Sequence, residues 1–391
     1  MLDALQPDEG CDMSEHDLER LRSLTSIKWN RFDDDVLPAW VADMDLPPAP
    51  VSVEAVRALV DRGDFGYNFH AAKQLPEVFS AWEERRHGWR PDPERVRVFC
   101  DVMQAVDVAL WTHCKPGDGV IVFTPVYPPF LRSATAGGRR MIDCPLKRDG
   151  WRLDPERLAA AAAEPGARAI LLANPHNPTG RAFSAEELGA IALVAERHDL
   201  LIVSDEIWCD VVHPGSTHVP LASLSEAVAA RTVTLSAASK AFNIAGLHCA
   251  VGHLGHDGVR EAIEALPGHV LGAVGSPGAE ATLAAFTQGE PWLSDTISHL
   301  TAMRDHLGAR LAAELPLVRF APPQATYLAW LDVSAYELGD DCAKTLLDEA
   351  RVGLSSGLDF GEHGSGFVRL NFATTAPILD EIIDRIVTRL S

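Results

Sequence analysis

The sequence predicts an α/β fold: a three-layer α/β/α large domain around a mainly parallel sheet, with a smaller α+β C-terminal domain. Two patterns carry the prediction. From about residue 50, helices alternate with short apolar strands, as parallel βαβ winding requires. After about residue 275 the alternation gives way to two helical stretches and then strands. The chain has 391 residues, enough for two domains sharing one extensive core. The expected division is residues 1–45 as an N-terminal arm joining the small domain, 46–275 as the large domain and 276–391 as the small one.

Taken in order, the elements have local causes. Residues 1 to about 45, rich in Asp, Pro and Trp, read as an arm plus an irregular segment. Asp101-V-M-Gln104 precedes an apolar, helix-like run to Trp111. Gly119 to Thr124 is a short β-branched strand. The Ala-rich stretch Leu158 to Ala163 has good helix propensity and reads as one helix. Arg168 to Asn174 is the next strand, followed by a Pro/Gly loop. Ser184-A-E-Glu187 fits a capping box opening a helix to about His198. Leu200 to Asp205 and Arg231 to Ser236 are strands, and Leu247 to Leu254 is a further one, parallel or antiparallel. Helices near 278–287 and 294–314 lead to strands near 317–332 and 366–372.

Composition excludes several classes of function. The formal charge is −21, from 34 Lys+Arg against 55 Asp+Glu, a field that repels nucleic acid and anionic lipid. An anionic ligand would need a strictly local positive site. No apolar run approaches the ~20 residues of a membrane span. The leader MLDALQPDEGCDMSEHDLER is polar and acidic, unlike a signal or transit peptide, so a cytoplasmic location is expected. The 7 Cys are widely spaced, with no C-x-x-C. Buried reduced thiols are expected rather than disulfides or zinc, and no H-E-x-x-H suggests a metal.

Four successive predicted strands end in distinctive groups: Tyr127, then Asn174 to Asn177, then Asp205, then Ser236 to Lys240. Ligands in open α/β sheets bind beyond the carboxyl ends of strands, so four loops distant in sequence converge on one crevice. Their chemistry matches the needs of pyridoxal 5′-phosphate (PLP). Lys240, in a small-residue turn flanked by hydroxyls, would form the imine with the aldehyde and shuttle a proton; a surface lysine is the commoner fate of that residue type. Asp205, closing an apolar strand, would keep the pyridine nitrogen protonated, or else cap the next helix. Asn177 would donate to the phenolic oxygen, or simply belong to a Pro/Asn turn. Tyr127 would lie on the ring face, or pack on the core. Phosphate needs amides at a helix start and hydroxyls; Val102 and Met103 offer the first, Ser236 and Ser239 the second. Arg369, in an apolar strand, is either half of an internal salt bridge or a bidentate clamp on a substrate carboxylate.

At these residues the sequence resembles the fold-type I PLP enzymes, the aspartate aminotransferase superfamily. Asn174-P-H-Asn177-P-T-Gly180, Ser204-Asp205-Glu206-Ile207, Ser236-A-A-Ser239-Lys240 and Val368-Arg369-L-N-F-A occur in the family's order. Lys28-Trp29, Leu37-P-A-Trp40-V-A-Asp43-Met44-Asp45 and Ser239-Lys240-A-F-N-I-A-G resemble the MalY/PatB-type cystathionine β-lyases in particular. The resemblance implies Lys240 as Schiff-base lysine, Asp205 under the pyridinium, Asn177 on the phenolic oxygen, Tyr127 stacked on the ring and Arg369 on the α-carboxylate. It further implies a homodimer with shared active sites, in which Tyr67 reaches the partner's cofactor phosphate. Two positions depart from the family's pattern. Trp208 stands where tyrosine or histidine is usual, and indole can donate but not accept. His248 stands where aminotransferases commonly carry arginine.

The implied reaction is α,β-elimination from a cysteine thioether, giving thiol, pyruvate and ammonia. Transamination shares every step up to Cα deprotonation, and a decarboxylating deamination is a third outcome that Trp208 could favour. A regulatory, protein-binding use of the fold ranks lower, because both Lys240 and Asp205 are retained. The substrate pocket is expected to include Trp40 and Trp208.

Overall fold

A computed structural model of the protein describes residues 15–67 and 69–390; Cys11 lies outside them. The strands, in chain order, are β1 (Leu37–Pro38), β2 (Val96–Phe99), β3 (Gly119–Val122), β4 (Arg140–Asp143), β5 (Ala167–Ala173), β6 (Leu201–Asp205), β7 (Thr232–Ser236) and β8 (Ala250–Leu254). The C-terminal part adds β9 (Arg319–Phe320), β10 (Leu328–Asp332), β11 (Val352–Gly353), β12 (Ser355–Ser356) and β13 (Phe367–Asn371).

The large sheet has the order β2-β8-β7-β6-β5-β3-β4. Its β4-β3-β5-β6-β7 run is parallel, while β8 is antiparallel to both β7 and β2. Both faces are apolar because helices cover both. Successive residues of a strand point to opposite faces: Val120 and Val122 pack with the helix Val102–His113, whereas Ile121 packs with Leu158 and Leu188 of the opposite layer. That alternation makes the three layers. The helix Ala185–Arg197 opens with the expected capping box: Glu187 N–H donates to Ser184 Oγ at 3.2 Å, and Ser184 N–H to Glu187 Oε2 at 3.0 Å.

The C-terminal part forms a four-stranded antiparallel sheet, β12-β13-β10-β9. The helix Glu290–Glu314 buries Leu300, Leu307 and Leu311 beside Leu328, Val368 and Leu370. The strand region expected near 317–332 holds two antiparallel segments, β9 and β10. β2 and β4, the two edges of the large sheet, lie outside the strands that the sequence predicts. Each has only four residues, and an edge strand needs no continuous apolar run.

The N-terminal segment crosses to this second unit. β1 pairs in parallel with β11, Leu37 opposite Val352. Lys28, only 2% exposed, forms a 2.9 Å ion pair with Asp45, and Trp29 Nε1 donates to the same carboxylate at 2.7 Å. Asn243 clasps residues 44–46 from the large-sheet side, its Nδ2 donating to the Leu46 carbonyl at 2.7 Å and its Oδ1 accepting from Met44 N–H at 3.1 Å. These bonds fix the segment around Val41 and Ala42 over the carboxyl ends of the strands.

Candidate active site

A cavity of about 400 Å³ lies there. Lys240, Asp205, Asn177, Tyr127, Val102, Met103, Ser239, Trp208 and Arg369 all line it. Each arrives from a different place in the sheet. Asp205 is the last residue of β6, in register with Leu235 on β7. Lys240 sits in the short helical turn Ala238–Ala241 that follows β7.

Burial dominates the electrostatics of both. It holds the Lys240 amine below the ordinary lysine range, assisted by Arg369 and opposed by Asp43 and Asp205. It lifts the Asp205 carboxyl to about 7, against the pull of the Ile207 amide bond (3.0 Å) and of Lys240. A neutral amine is the form that attacks a carbonyl, and the Asp205 carboxyl has no ion pair among the described residues. Lys240 Nζ donates to the Ala42 carbonyl at 2.9 Å, an acceptor shared with the Tyr327 hydroxyl at 3.0 Å.

The loop bearing Asn177 is held at several points. Asn174 Nδ2 donates to the Val219 carbonyl at 3.1 Å, and the buried His176 ring meets Thr179 Oγ1 at 2.9 Å. Gly180 has φ +67°, and a Cβ there would stand 2.2 Å from Pro323 Cβ, so glycine is required on both counts. Arg369 Nη1 donates to Asn177 Oδ1 at 3.0 Å. That bond commits the amide oxygen and leaves the Asn177 NH2 as a donor. The Asn177 carbonyl in turn accepts from Tyr127 N–H at 3.1 Å.

Arg369 is 6% exposed and stands on β13. Its Nη2 donates to the Trp40 carbonyl at 2.8 Å and to Ser355 Oγ at 3.1 Å, and its guanidinium lies 4.9 Å from the Phe360 ring centre. Burial lowers its pKa to about 10, still fully cationic at neutral pH. Its Nε is buried without a hydrogen-bond partner. The internal salt bridge considered above is absent among the described residues. Such a cation, ringed by neutral acceptors, is suited to a bound carboxylate.

At the opposite kind of end, the helix Val102–His113 starts at the cavity, with Asp101 Oδ1 capping Gln104 N–H at 2.7 Å. The first-turn amides of Val102 and Met103 have no intrahelical acceptors and are free for an anion. His248, at φ +51°, and Cys249 complete this part of the lining.

Three expected residues stand elsewhere. Ser236 is buried, its Oγ 3.6 Å from Cys209 Sγ, and is not part of the lining. It is the last residue of β7, one position beyond Leu235, which is in register with Asp205. Trp40 lines an adjacent cavity rather than this one, and reaches the site through its carbonyl. Tyr67 is fully exposed. Ala42 and Tyr327 were missed; a backbone acceptor carries no sequence signal, and Tyr327 precedes the apolar strand β10 with no distinctive motif around it. Metal chemistry had no sequence support, yet Glu83, His87 and Cys209 bring donor atoms within 4.8 Å of one another. His87 there sits 3.3 Å from Asp210, within a buried ion-pair layer.

An amine, an opposed carboxylate, an aromatic ring, helix-start amides and a carboxylate clamp in one cavity are the complement PLP requires, so the donor set fits that group.

Comparisons with known proteins agree. The profile of the family described as aminotransferase class I and II matches residues 44–386. Cystathionine β-lyase PatB of Bacillus subtilis is 36% identical over 375 residues, covering 94% of this chain and 97% of the relative. Protein MalY of Escherichia coli is 32% identical over 344 residues, covering 86% and 87%. The PLP-bound C-S lyase from Staphylococcus hominis superposes with a TM-score of 0.89 at 27% identity, over 94% of this chain and 96% of that one.

Proposed function

Because the chain belongs to the aminotransferase class I and II family, close to its MalY/PatB-type members, we propose that it is a PLP-dependent carbon–sulfur β-lyase. It cleaves a cysteine thioether, with water, to a thiol, pyruvate and ammonia. The observation that carries this reading is the convergence of Lys240, Asp205 and Arg369 on one cavity.

When bound, PLP supplies an electron-withdrawing ring that makes the substrate Cα proton removable. The chain's own groups do the rest. Arg369 holds the α-carboxylate through its guanidinium fork, with Asn177 and Trp40 fixing that fork in place. Asp205 is a buried acid lifted to about 7, and gains a partner when a protonated ring nitrogen faces it. Tyr127 would cover the ring face, Asn177 Nδ2 would donate to the phenolic oxygen, and Val102, Met103 and Ser239 would hold the phosphate. Lys240 accepts the Cα proton, and burial holds its amine below the ordinary lysine range. The sulfur then leaves Cβ with the bonding pair and takes up a proton as thiol.

The reading includes a homodimer in which the exposed Tyr67 reaches the partner's phosphate site. Phe65, Tyr67 and Phe69 are large and exposed side by side, which supports an interface there. The division at residues 45 and 275 belongs to the same reading. So does a cytoplasmic location, supported by the six free cysteines among the described residues; no helix there is long and apolar enough to cross a membrane.

Incubation with L-cystathionine or an S-alkyl-L-cysteine, without a 2-oxo acid, tests the reaction. Thiol and pyruvate in equal amounts are expected. Turnover only with an added 2-oxo acid would replace the lyase by an aminotransferase.

A further inference from the structure

A buried polar layer that the reaction does not use lies beside the ends of β6 and β7. Glu83 and His87 stand one turn apart at the end of the helix His70–His87 and share one of its faces. Cys209 approaches from the turn after β6, four residues beyond Asp205. Their donor atoms lie within 4.8 Å of one another, and none of the three lines the active-site cavity.

Ion pairing accounts for the neighbours of this trio and not for the trio itself. Asp210 accepts from Trp82 Nε1 at 2.9 Å and from Arg86 Nε at 3.3 Å. Glu206 accepts from Ser204 Oγ at 2.8 Å and holds His218 Nε2 at 2.9 Å. Glu83, only 2% exposed, makes no hydrogen bond or ion pair among the described residues, and an unpartnered buried carboxyl is costly. His87 Nε2 lies 3.3 Å from Asp210 Oδ1, yet it is buried without a hydrogen-bond partner. The His218 ring centre is 5.0 Å from that of His87. Its Nδ1 is also buried without a partner; with Nε2 donating to the Glu206 carboxylate, Nδ1 of the neutral ring keeps its lone pair.

We propose that Glu83, His87 and Cys209 bind a divalent cation of the zinc class, the fourth position falling to His218 Nδ1 or to a water. Sulfur, nitrogen and oxygen donors in a closed, buried set are the chemistry of a structural zinc site. One thiolate and one carboxylate neutralise a dication, so with neutral imidazoles no net charge is left buried. The cation displaces the thiol proton, which passes to solvent. Zinc bonds of about 2.0–2.3 Å draw the three donors closer together. The position of the site defines its role. Cys209 Sγ is 3.6 Å from Ser236 Oγ, at the end of β7 and four residues before Lys240. The cation therefore ties the helix His70–His87 to the two strand ends that carry Asp205 and Lys240, and takes no part in proton transfer.

The test uses the PLP-loaded enzyme, Cys209→Ala and Glu83→Gln, each equilibrated with zinc chloride and then dialysed. Metal analysis should find about one zinc per wild-type chain, bound at least ~100-fold more tightly than in either variant, a larger loss than removal of an outer-shell partner causes. X-ray absorption at the zinc edge should show a sulfur at about 2.3 Å and lighter donors at about 2.0–2.1 Å. Zinc should raise the melting temperature of the wild type and leave that of the variants unchanged. Retained cofactor absorbance shows that the variants are folded. Wild-type protein that keeps no zinc would overturn the site. So would equal zinc in Cys209→Ala, or an edge spectrum without sulfur, either of which marks an adventitious ion only. If Cys209→Ala does not fold, the zinc content and edge spectrum of the wild type decide.

Discussion

Lys240 and Tyr327 converge on a single oxygen: the Ala42 carbonyl accepts from Nζ at 2.9 Å and from the phenol at 3.0 Å. The carbonyl belongs to the N-terminal segment that Asn243, Asn371 and the Lys28–Asp45 pair hold over the sheet. Tyr327 comes from the second unit, on the residue before β10. The lysine's resting position is therefore set by three distant parts of the chain.

That sharing predicts an unequal effect for Tyr327→Phe. In the free protein Lys240 still satisfies Ala42, so stability should fall by only about 1 kcal/mol. With Lys240 committed to the cofactor, the carbonyl would lose both donors. An unsatisfied buried acceptor costs about 1–3 kcal/mol, so the cofactor dissociation constant should rise roughly tenfold. Titration of apoprotein with PLP, followed by absorbance, checks it; equal effects on both states would count against the shared role.

Lys240→Ala removes the proposed proton carrier and should lower turnover by at least ~10²–10⁴-fold. The remaining contacts of Asp205, Asn177 and the Val102 and Met103 amides are untouched, so the variant should still take up PLP. Borohydride should fix the cofactor covalently to wild-type protein and leave it removable by dialysis from the variant. Mass spectrometry distinguishes the two.

Most of this site was legible because it is built at strand ends. A short apolar run closing in a polar residue is visible without coordinates, and β5, β6 and β7 all end that way, at Ala173 before Asn174, at Asp205 and at Ser236. Ser236 shows the limit of that signal. A one-residue difference along a strand end turns a side chain to the other face, and periodicity alone does not say which face holds the ligand. Ala42 was hidden for a different reason: its contribution is a backbone oxygen, available from any residue type. The second unit was legible in its helices and blurred in its strands, because β9, β11 and β12 have two residues each, too few to show a period. Tyr67 is fully exposed in the single chain, and no periodicity in its loop marks it for a site.

Arg369→Lys keeps the charge and loses the fork. The fork spans Asn177 Oδ1, Trp40 O and Ser355 Oγ, which one ammonium cannot serve while also gripping a carboxylate bidentately. KM for any amino-acid substrate should rise roughly tenfold or more, the loss expected of a charge-assisted pair. The rise should be equal for L-cystathionine and S-ethyl-L-cysteine, since both present the same α-carboxylate. Steady-state kinetics with the two substrates checks it, and a selective loss for one of them would contradict the assignment.

Ser184→Ala removes half of a capping box. The cost should be about 0.5–2 kcal/mol, measured as a shift in the urea midpoint with kcat retained. Glu187 would keep its bonds to Arg181, at 2.8 and 2.9 Å, and to Leu153 N–H. The effect should therefore stay at the helix start and leave cofactor binding alone.

Asp205→Asn should act in opposite directions on the two states of the protein. Burial raises the Asp205 carboxyl from 3.8 to about 7, against the smaller pull of Lys240. A group whose folded pKa is raised contributes stability that is fully present below its unfolded pKa. That contribution declines as pH climbs from about 4 and is gone once pH passes about 7. Apoprotein should accordingly lose stability between about pH 4 and 7, and apo Asp205→Asn should lose less over the same range, because asparagine has no proton to give up. With PLP bound the order reverses. The carboxylate gains a protonated ring nitrogen, the amide does not, and the variant should bind the cofactor more weakly and turn over ~10²-fold or more slowly. Thermal melts of apo and holo forms across that pH range measure both effects. Apo melting curves with the same pH slope in the two proteins would mean that Asp205 is already ionised and partnered in the empty site.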